Sequence, residues 1–404
     1  MKIMLFCWAD EMKTELLYWA TYLAQLPQHF VITPLIRVCD EKKYKDAIFQ
    51  LSQLSKNVSV NPVYLKSRNA SLRNIIFPKI LVNDSLSIFK AVKKSKPDVI
   101  VCFFVPHAYP LLPLKRIFHF SLCVYAMGSD IYLVNDLPHR ILKKVIYNNS
   151  KGIFAYSEKL KHRIEEESSH KVTVIPSSAD SSFFRPLYSK VLLRKKWGIS
   201  AKSKLIFTVA RLDKMKGIDV LIKSLKTLDF PDTNLWIRGD GPERSSLEKL
   251  TASLDLEDKV KFLGFQNRDE LLELYNISDL FALTSYSEGL PRVLIEAMAC
   301  GCTPIVTKVG DVGAVVKDGF NGFTVSPGDH QELGKTINHI FSLPDKTMEA
   351  IQKRARHTVE DEFDTKKGIK KMIRAIDSLV GKPALSTVAT IGKWEAETSG
   401  VNRK

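Results

Sequence analysis

The chain has 404 residues, 45% of them hydrophobic and 26% charged. That balance is ordinary for a globular protein, the length exceeds one compact core, and collagen-like, fibrous and wholly disordered chains are excluded. Sixty Lys and Arg against 44 Asp and Glu give a formal charge of +16, and the excess is uneven, because residues 51–150 alone hold 14 cations against 4 anions.

In chain order, short β-branched or aromatic runs alternate with segments of helical period, which marks parallel α/β units. In the first part the strands expected are Lys2–Phe6, Phe30–Ile36, Val58–Val63, Val99–Phe103, Leu122–Ala126, Gly152–Ala155 and Val172–Ile175. Helices are expected near Met12–Ala24, Tyr44–Ser55, Leu86–Lys94, Pro138–Asn148 and Glu158–Glu166. The turn-rich stretch SSADSSFFRPLYSK then breaks the alternation and puts a domain boundary near Phe184–Tyr188. A second series follows, with strands at Leu205–Val209, Asn234–Ile237, Val260–Leu263, Leu280–Leu283 and Thr303–Val306. Its helices are expected at Gly217–Leu228, Pro242–Leu254, Arg268–Tyr275, Pro291–Cys300 and Gln331–Phe341. The reading is α/β: two Rossmann-like, doubly wound domains, 1–186 and 187–363, facing a central cleft at the carboxyl ends of their strands. A helix at 364–380 follows, and the Ser/Thr/Gly-rich segment 381–404 reads as a flexible tail.

No apolar run approaches the roughly 18 residues that a membrane helix needs. The apolar stretch at the start, MKIMLFC, is too short for a secretory signal and acidic residues follow it. The six cysteines are scattered through strand-like runs, and Cys300-Gly-Cys302 has the wrong spacing for a CxxC pair. Cysteine usage of this kind predicts a reducing, cytoplasmic compartment. The basic excess lies in clusters: Lys66, Arg68 and Arg73; Lys90, Lys93, Lys94 and Lys96; Lys115 and Arg116; Arg140, Lys143 and Lys144. Phe89, Phe118, Ile141 and Val145 are interleaved with them. Each such cation contributes about 1 kcal/mol near an anionic bilayer, so a peripheral face for such a membrane is one expectation and a merely solvated basic face is the other. Nucleic acid is not expected, since no helix-turn-helix, zinc-finger or RNP-like pattern accompanies the charge.

Three stretches carry chemistry. In SYSEGLPRVLIEAMACGCTPIV, Pro291 stands where the first helical position should be and Gly301 where the helix should end. Glu288 then lies in the entrance loop and Glu296 about one and a half turns inside. Backbone N–H groups at such a helix start favour an anion such as a phosphate, and two carboxylates beside it can accept from sugar hydroxyls. For Glu296 the alternative is an exposed helical glutamate. In VARLDKMKGIDVLIKSL, Arg211 and Lys216 project from the loop after a strand, where two cations can neutralise a diphosphate without a metal; the alternative is a pair of ordinary surface-loop cations. In WIRGDGPERSSLEKL, Gly239 and Gly241 permit the close backbone approach of a nucleotide-binding turn.

Together these stretches resemble the family-4-type (GT4) retaining glycosyltransferases of the GT-B superfamily. The family's order is matched by Arg211 and Lys216, then Gly239–Pro242, then Phe262-Leu263-Gly264-Phe265, then Glu288 and Glu296 as an E-x7-E pair. VGDVGAVVKDGFNGFTVSPGD and VIPSSADSSFFRP extend the match on either side, so that it is dense over 172–329 and looser before. The resemblance implies an enzyme that moves a sugar, with retention, from a nucleotide-sugar donor to a saccharide or lipid-linked saccharide in cell-envelope glycan synthesis. Arg211 and Lys216 would hold the diphosphate, and Glu288 would lie near the donor sugar. Glu296 would bind the ribose, with Gly239, Gly241, Phe265, Gly289, Leu290 and Pro291 also on the donor side. The helix at 364–380 would cross back to the first domain. No cofactor and no metal are expected, since no Asp-x-Asp pair is evident.

The match weakens in the first domain. Met127 stands where a histidine often precedes the Gly-Ser-Asp turn, and CWADEMK replaces the Gly-rich loop after the first strand. Asp130, His107 and Asp10 are the acceptor-side candidates; the alternatives are a turn-capping aspartate for Asp130 and an ordinary loop histidine for His107. The competing classes are another GT-B enzyme, such as a phosphorylase or a nucleotide-sugar epimerase, and a non-catalytic nucleotide-sugar or polyanion binding protein.

Overall fold

The computed structural model describes residues 1–8, 29–37, 58–65, 78–132, 137–264 and 267–381, with single positions at 23, 45, 48, 49, 52, 53 and 56. Most of the helices expected at Met12–Ala24 and Tyr44–Ser55, Asp10, Phe265 and the tail from 382 lie outside the described residues. The chain forms two compact units, one of residues 1–176 with 366 onward and one of 177–365. No helix among the described residues is long and apolar enough to cross a membrane.

The first unit is built on a sheet of eight strands: β1 Lys2–Trp8, β2 His29–Arg37, β3 Val58–Val60, β4 Val63–Leu65, β5 Val99–Phe103, β6 Ser121–Ala126, β7 Gly152–Ala155 and β8 Val172–Val174. Their order is β3-β2-β1-β5-β6-β7-β8, with β4 also on β2, and the pairings are parallel. β5 is buried along its whole length, as a central parallel strand covered on both faces must be. The single strand expected over Val58–Val63 is two strands. Asn61 N still donates to Ile32 O at 2.9 Å, but Pro62 has no N–H to continue the ladder, and pairing resumes at Val63 against Leu35.

The helices Pro78–Ser95, Leu111–Phe118, Leu137–Asn149 and Glu158–Ser168 belong to this unit. Leu111–Phe118 was not expected from the sequence; Phe118 secures it against Phe89, with ring centroids 5.3 Å apart. The last helix, Thr365–Val380, presents Ile369, Met372, Ile373 and Ile376 at i, i+3, i+4 and i+7, and all four are buried in the first unit's core.

The second unit holds β9 Lys204–Val209, β10 Thr233–Arg238, β11 Val260–Gly264, β12 Leu280–Leu283, β13 Thr303–Thr307 and β14 Phe323–Val325. These strands are parallel in the order β11-β10-β9-β12-β13-β14. The order reverses between β9 and β12, so the loops leaving those two strands flank a topological switch point, where doubly wound sheets bind ligands. β14 and the helix Asp345–Glu362 are additions to the expected series. Ile351, Ala355 and Val359 of that helix are buried at i, i+4 and i+8, a periodicity present in the sequence.

The units divide at 176/177, ten residues before the expected boundary at 186/187. Backbone hydrogen bonds explain the difference. Ala179 N donates to Phe363 O, Thr365 N donates to Ala179 O, each at 3.0 Å, and Ser181 Oγ donates to Asp364 Oδ2 at 2.6 Å. Phe184 is buried against Tyr275. The segment read as a linker is thus part of the second unit.

Candidate functional site

The loops after β9 and β12 are sewn together by backbone and hydroxyl groups. Tyr286 N donates to Met215 O at 2.8 Å, and Thr284 Oγ1 donates to Lys216 O at 3.2 Å and Gly217 O at 2.9 Å. Gly217 sits at φ +59° with its α-carbon against the Thr284 carbonyl, where a side chain would collide. This join brings together two residues singled out from the sequence: Lys216 Nζ donates to Glu288 Oε1 at 2.7 Å. Ser285 Oγ donates to the same oxygen at 2.6 Å, and the Ser285 carbonyl is itself held by Thr307 Oγ1 at 2.6 Å. Glu288 Oε2 has no hydrogen-bond partner among the described residues. An ammonium has three donors, so Lys216 keeps capacity for a ligand beyond Glu288.

Glu288 stands just before the helix Arg292–Ala299. Pro291 is the N-cap of that helix rather than its first residue, with extended backbone and no side-chain capping bond. The first N–H groups of the helix are therefore left for an anion. Gly289 is exposed and Leu290 is buried. Arg211 is not joined to Lys216. Its side chain is 73% exposed, and its Nε lies 3.6 Å from Asp213.

The Gly239–Pro242 turn lies against the Arg211 loop. Leu212 N donates to Asp240 O and Glu243 N donates to Leu212 O, each at 2.9 Å. A Cβ on Gly239 would meet the Ala210 carbonyl, and one on Gly241 the Leu212 backbone. Both glycines are thus required by the approach of one loop to another, whatever the turn binds. A groove of about 390 Å³ beside these loops is lined by Asp213, Lys214, Ile218, Glu243, Leu247 and Tyr286 and includes none of the residues singled out above.

Glu296 is buried, which removes the reading of it as an exposed helical glutamate. Its Oε2 accepts from Tyr275 Oη at 3.2 Å, and its Oε1 lies 3.5 Å from Arg292 Nε. Burial pushes its carboxyl up, and Arg292 and the Tyr275 hydroxyl draw it partly back. Ser285, Thr307 and Tyr275 were not singled out from the sequence. For Ser285 the signal was its place three residues before Glu288.

In the first unit, the two acceptor-side candidates that lie among the described residues, Asp130 and His107, turn inward. Asp130 is fully buried; its Oδ2 accepts from Val105 N at 2.9 Å, and its Oδ1 from Met127 N at 3.0 Å and Gly128 N at 2.9 Å. Burial pushes its carboxyl up and those N–H groups draw it back, so it holds a turn. Lys143, counted from the sequence in a basic surface cluster, is also buried, with Nζ 3.3 Å from Ile131 O and 3.9 Å from Glu167. His107 is buried with its ring stacked on Phe104 and Nδ1 3.1 Å from Phe103 O. Desolvation lowers its pKa to about 3.

A histidine that titrates near 3 when folded and near 6.5 when unfolded binds fewer protons in the folded state, so stability falls as pH drops through that window. The slope is up to about 1.4 kcal/mol per pH unit. Melting midpoints of the wild type should fall more steeply between pH 6.5 and 4.5 than those of His107→Asn, and equal slopes would remove this assignment.

Residues 189–358 match the family model described as glycosyl transferases group 1. N-acetyl-alpha-D-glucosaminyl L-malate synthase of Bacillus anthracis is 36% identical over 177 residues, 43% of this chain and 45% of that protein. A lipopolysaccharide core biosynthesis glycosyltransferase, LpsE of Rhizobium meliloti, is 26% identical over 278 residues, 69% of this chain and 74% of its own. The matches to the more identical relatives span less than half of those proteins' lengths. Among solved structures, sucrose-phosphate synthase from Thermosynechococcus elongatus superposes with a TM-score of 0.76 at 18% identity, covering 93% of this chain and 99% of that one. Anabaena HepE in complex with UDP gives 0.76 at 20% identity, covering 94% and 100%. The fold is GT-B.

Proposed function

We propose that this chain, whose residues 189–358 are a group 1 glycosyl transferase domain, transfers a sugar from a nucleoside diphosphate sugar to a saccharide or lipid-linked saccharide of the cell envelope. The carrying observation is the Lys216–Glu288–Ser285 constellation at the switch point, beside a helix start with no side-chain cap. In this reading the helix N–H groups, Lys216 and the exposed Arg211 take the diphosphate. As the anomeric C–O bond breaks, negative charge grows on the departing phosphate, and cations already in place stabilise it most at that moment. Glu288 keeps Lys216 oriented through Oε1 and offers Oε2 to a hydroxyl of the donor sugar. Glu296 takes the ribose hydroxyls by exchanging its contact with Tyr275 or Arg292.

Retention follows from the resemblance to the GT4 enzymes. Since these residues supply the positive charge, no metal is assigned to the reaction. The acceptor belongs to the first unit, and the enzyme works on the cytoplasmic side, peripheral to the plasma membrane. HepE has been solved with UDP and with UDP-glucose, which makes uridine diphosphate the first nucleotide to try. A melting screen with UDP, GDP, ADP and CMP tests the reading. A ligand bound only by the folded state raises the midpoint, by about 2.7 kcal/mol of stability at a hundred times its Kd. One nucleoside diphosphate should do so; no response to any of them at millimolar concentration would overturn the assignment.

A further inference from the structure

The helix Leu137–Asn149 is built the wrong way round for a packing helix of a soluble domain. Its inner face holds His139, Lys143 and Tyr147 along with Ile146. Its outer face carries Leu137, Ile141 and Val145 at i, i+4 and i+8, which are 69%, 56% and 42% exposed. Arg140 and Lys144 are exposed between them. Next to it, Lys115 Nζ donates to Asn149 O at 2.5 Å and ties in the helix Leu111–Phe118, where Arg116 and Ile117 are exposed, Ile117 by 58%. The two helices contain five Lys and Arg and no acidic residue.

From this juxtaposition we propose that the helix Leu137–Asn149 lies in the plane of an anionic lipid surface, with Leu137, Ile141 and Val145 in the headgroup–acyl boundary and Arg140 and Lys144 on lipid phosphates. It deepens, and rests on, the reading of the acceptor as lipid-linked. An aliphatic stripe gains free energy by entering the outermost 5–10 Å or so of a bilayer, and neighbouring cations add attraction to anionic headgroups. Either signal alone binds weakly, and the two together hold. A nucleic acid would satisfy the cations and leave the aliphatic stripe in water.

The test is co-sedimentation of the full chain with phosphatidylcholine vesicles, with and without phosphatidylglycerol, at low and high salt. Phosphatidylglycerol is expected to raise partitioning at least about tenfold, and salt to reverse most of that gain. Arg140→Glu with Lys144→Glu, and separately Leu137→Ser with Ile141→Ser, should each lower partitioning by about tenfold with unchanged melting midpoints. Equal binding to both lipids, wild-type binding by either double variant, or tighter binding to single-stranded RNA than to the vesicles at the same salt would overturn the proposal. The midpoint rise with nucleotide is read on the same samples. Its loss with lipid binding intact counts against the transferase reading, and the converse counts against the docking face.

Discussion

Lys216→Ala is expected to lower turnover by about 10²–10³, the usual effect of deleting one preorganised donor to a developing anion. The lysine lies in the loop after β9 and reaches Glu288 in the loop after β12, so it is held before any donor arrives. Its loss removes charge where the leaving phosphate gains it, and therefore falls on kcat and kcat/KM together rather than on donor KM alone. The folding cost should be small by comparison. Glu288 keeps its bond from Ser285, and breaking a half-buried pair costs about 1–2 kcal/mol, between the exposed and fully buried cases. Lys216→Arg is expected to restore only part of the turnover, since it keeps the charge but carries it on a longer side chain ending in a planar fork, displaced from the position of the ammonium beside Glu288. Steady-state kinetics and a melting curve on one preparation decide the matter; turnover within twofold of wild type would sink the role given to Lys216.

Gly239→Ala should act on stability. The residue sits at φ +139°, its N–H donates to Gly264 O at 2.9 Å, and a Cβ would point into the Ala210 carbonyl. Backbone strain of about 1–3 kcal/mol adds to overpacking of about 1–3 kcal/mol. Because the obstruction is backbone in the loop after β9, it cannot swing aside. At about 2–4 °C per kcal/mol for a unit of this size, the midpoint should drop by about 10 °C. Gly289→Ala is the control. It lies one residue from Glu288, yet nothing stands within 4 Å of where its Cβ would go, so it should leave the midpoint near wild type. If both variants melt like the wild type, the loop-packing account of Gly239 fails.

Gly239→Ala also separates two meanings of one motif. A Gly-Asp-Gly-Pro turn after a strand is consistent with phosphate approach, but here the space freed by the missing side chains is filled by Ala210 and Leu212. Glu296 is a similar case. Its spacing from Glu288 is written in the sequence, while its enclosure by Tyr275 and Arg292 means that any ribose must compete with partners already present.

Local pattern was enough to read the parallel α/β alternation and the division into two units, and it marked Lys216 and Glu288, which the fold brings into contact. A strand buried on both faces must be a continuous apolar run, and Gly and Pro punctuate turns within a few residues. The same windows missed the helix Asp345–Glu362, although its buried stripe was there to be counted. Other features had no local signature. Lys216 and Glu288 are 72 residues apart, and they meet because β12 pairs with β9 instead of following β11 in space. Burial moved Lys143 from a presumed outer face to the interior and enclosed His107 and Asp130, the acceptor-side candidates, and long-range backbone bonds from Ala179 moved the boundary to 176. Propensity acts between neighbours in sequence. Strand order and burial depend on which distant segments share a sheet, and that partnership appears only once the chain has closed on itself.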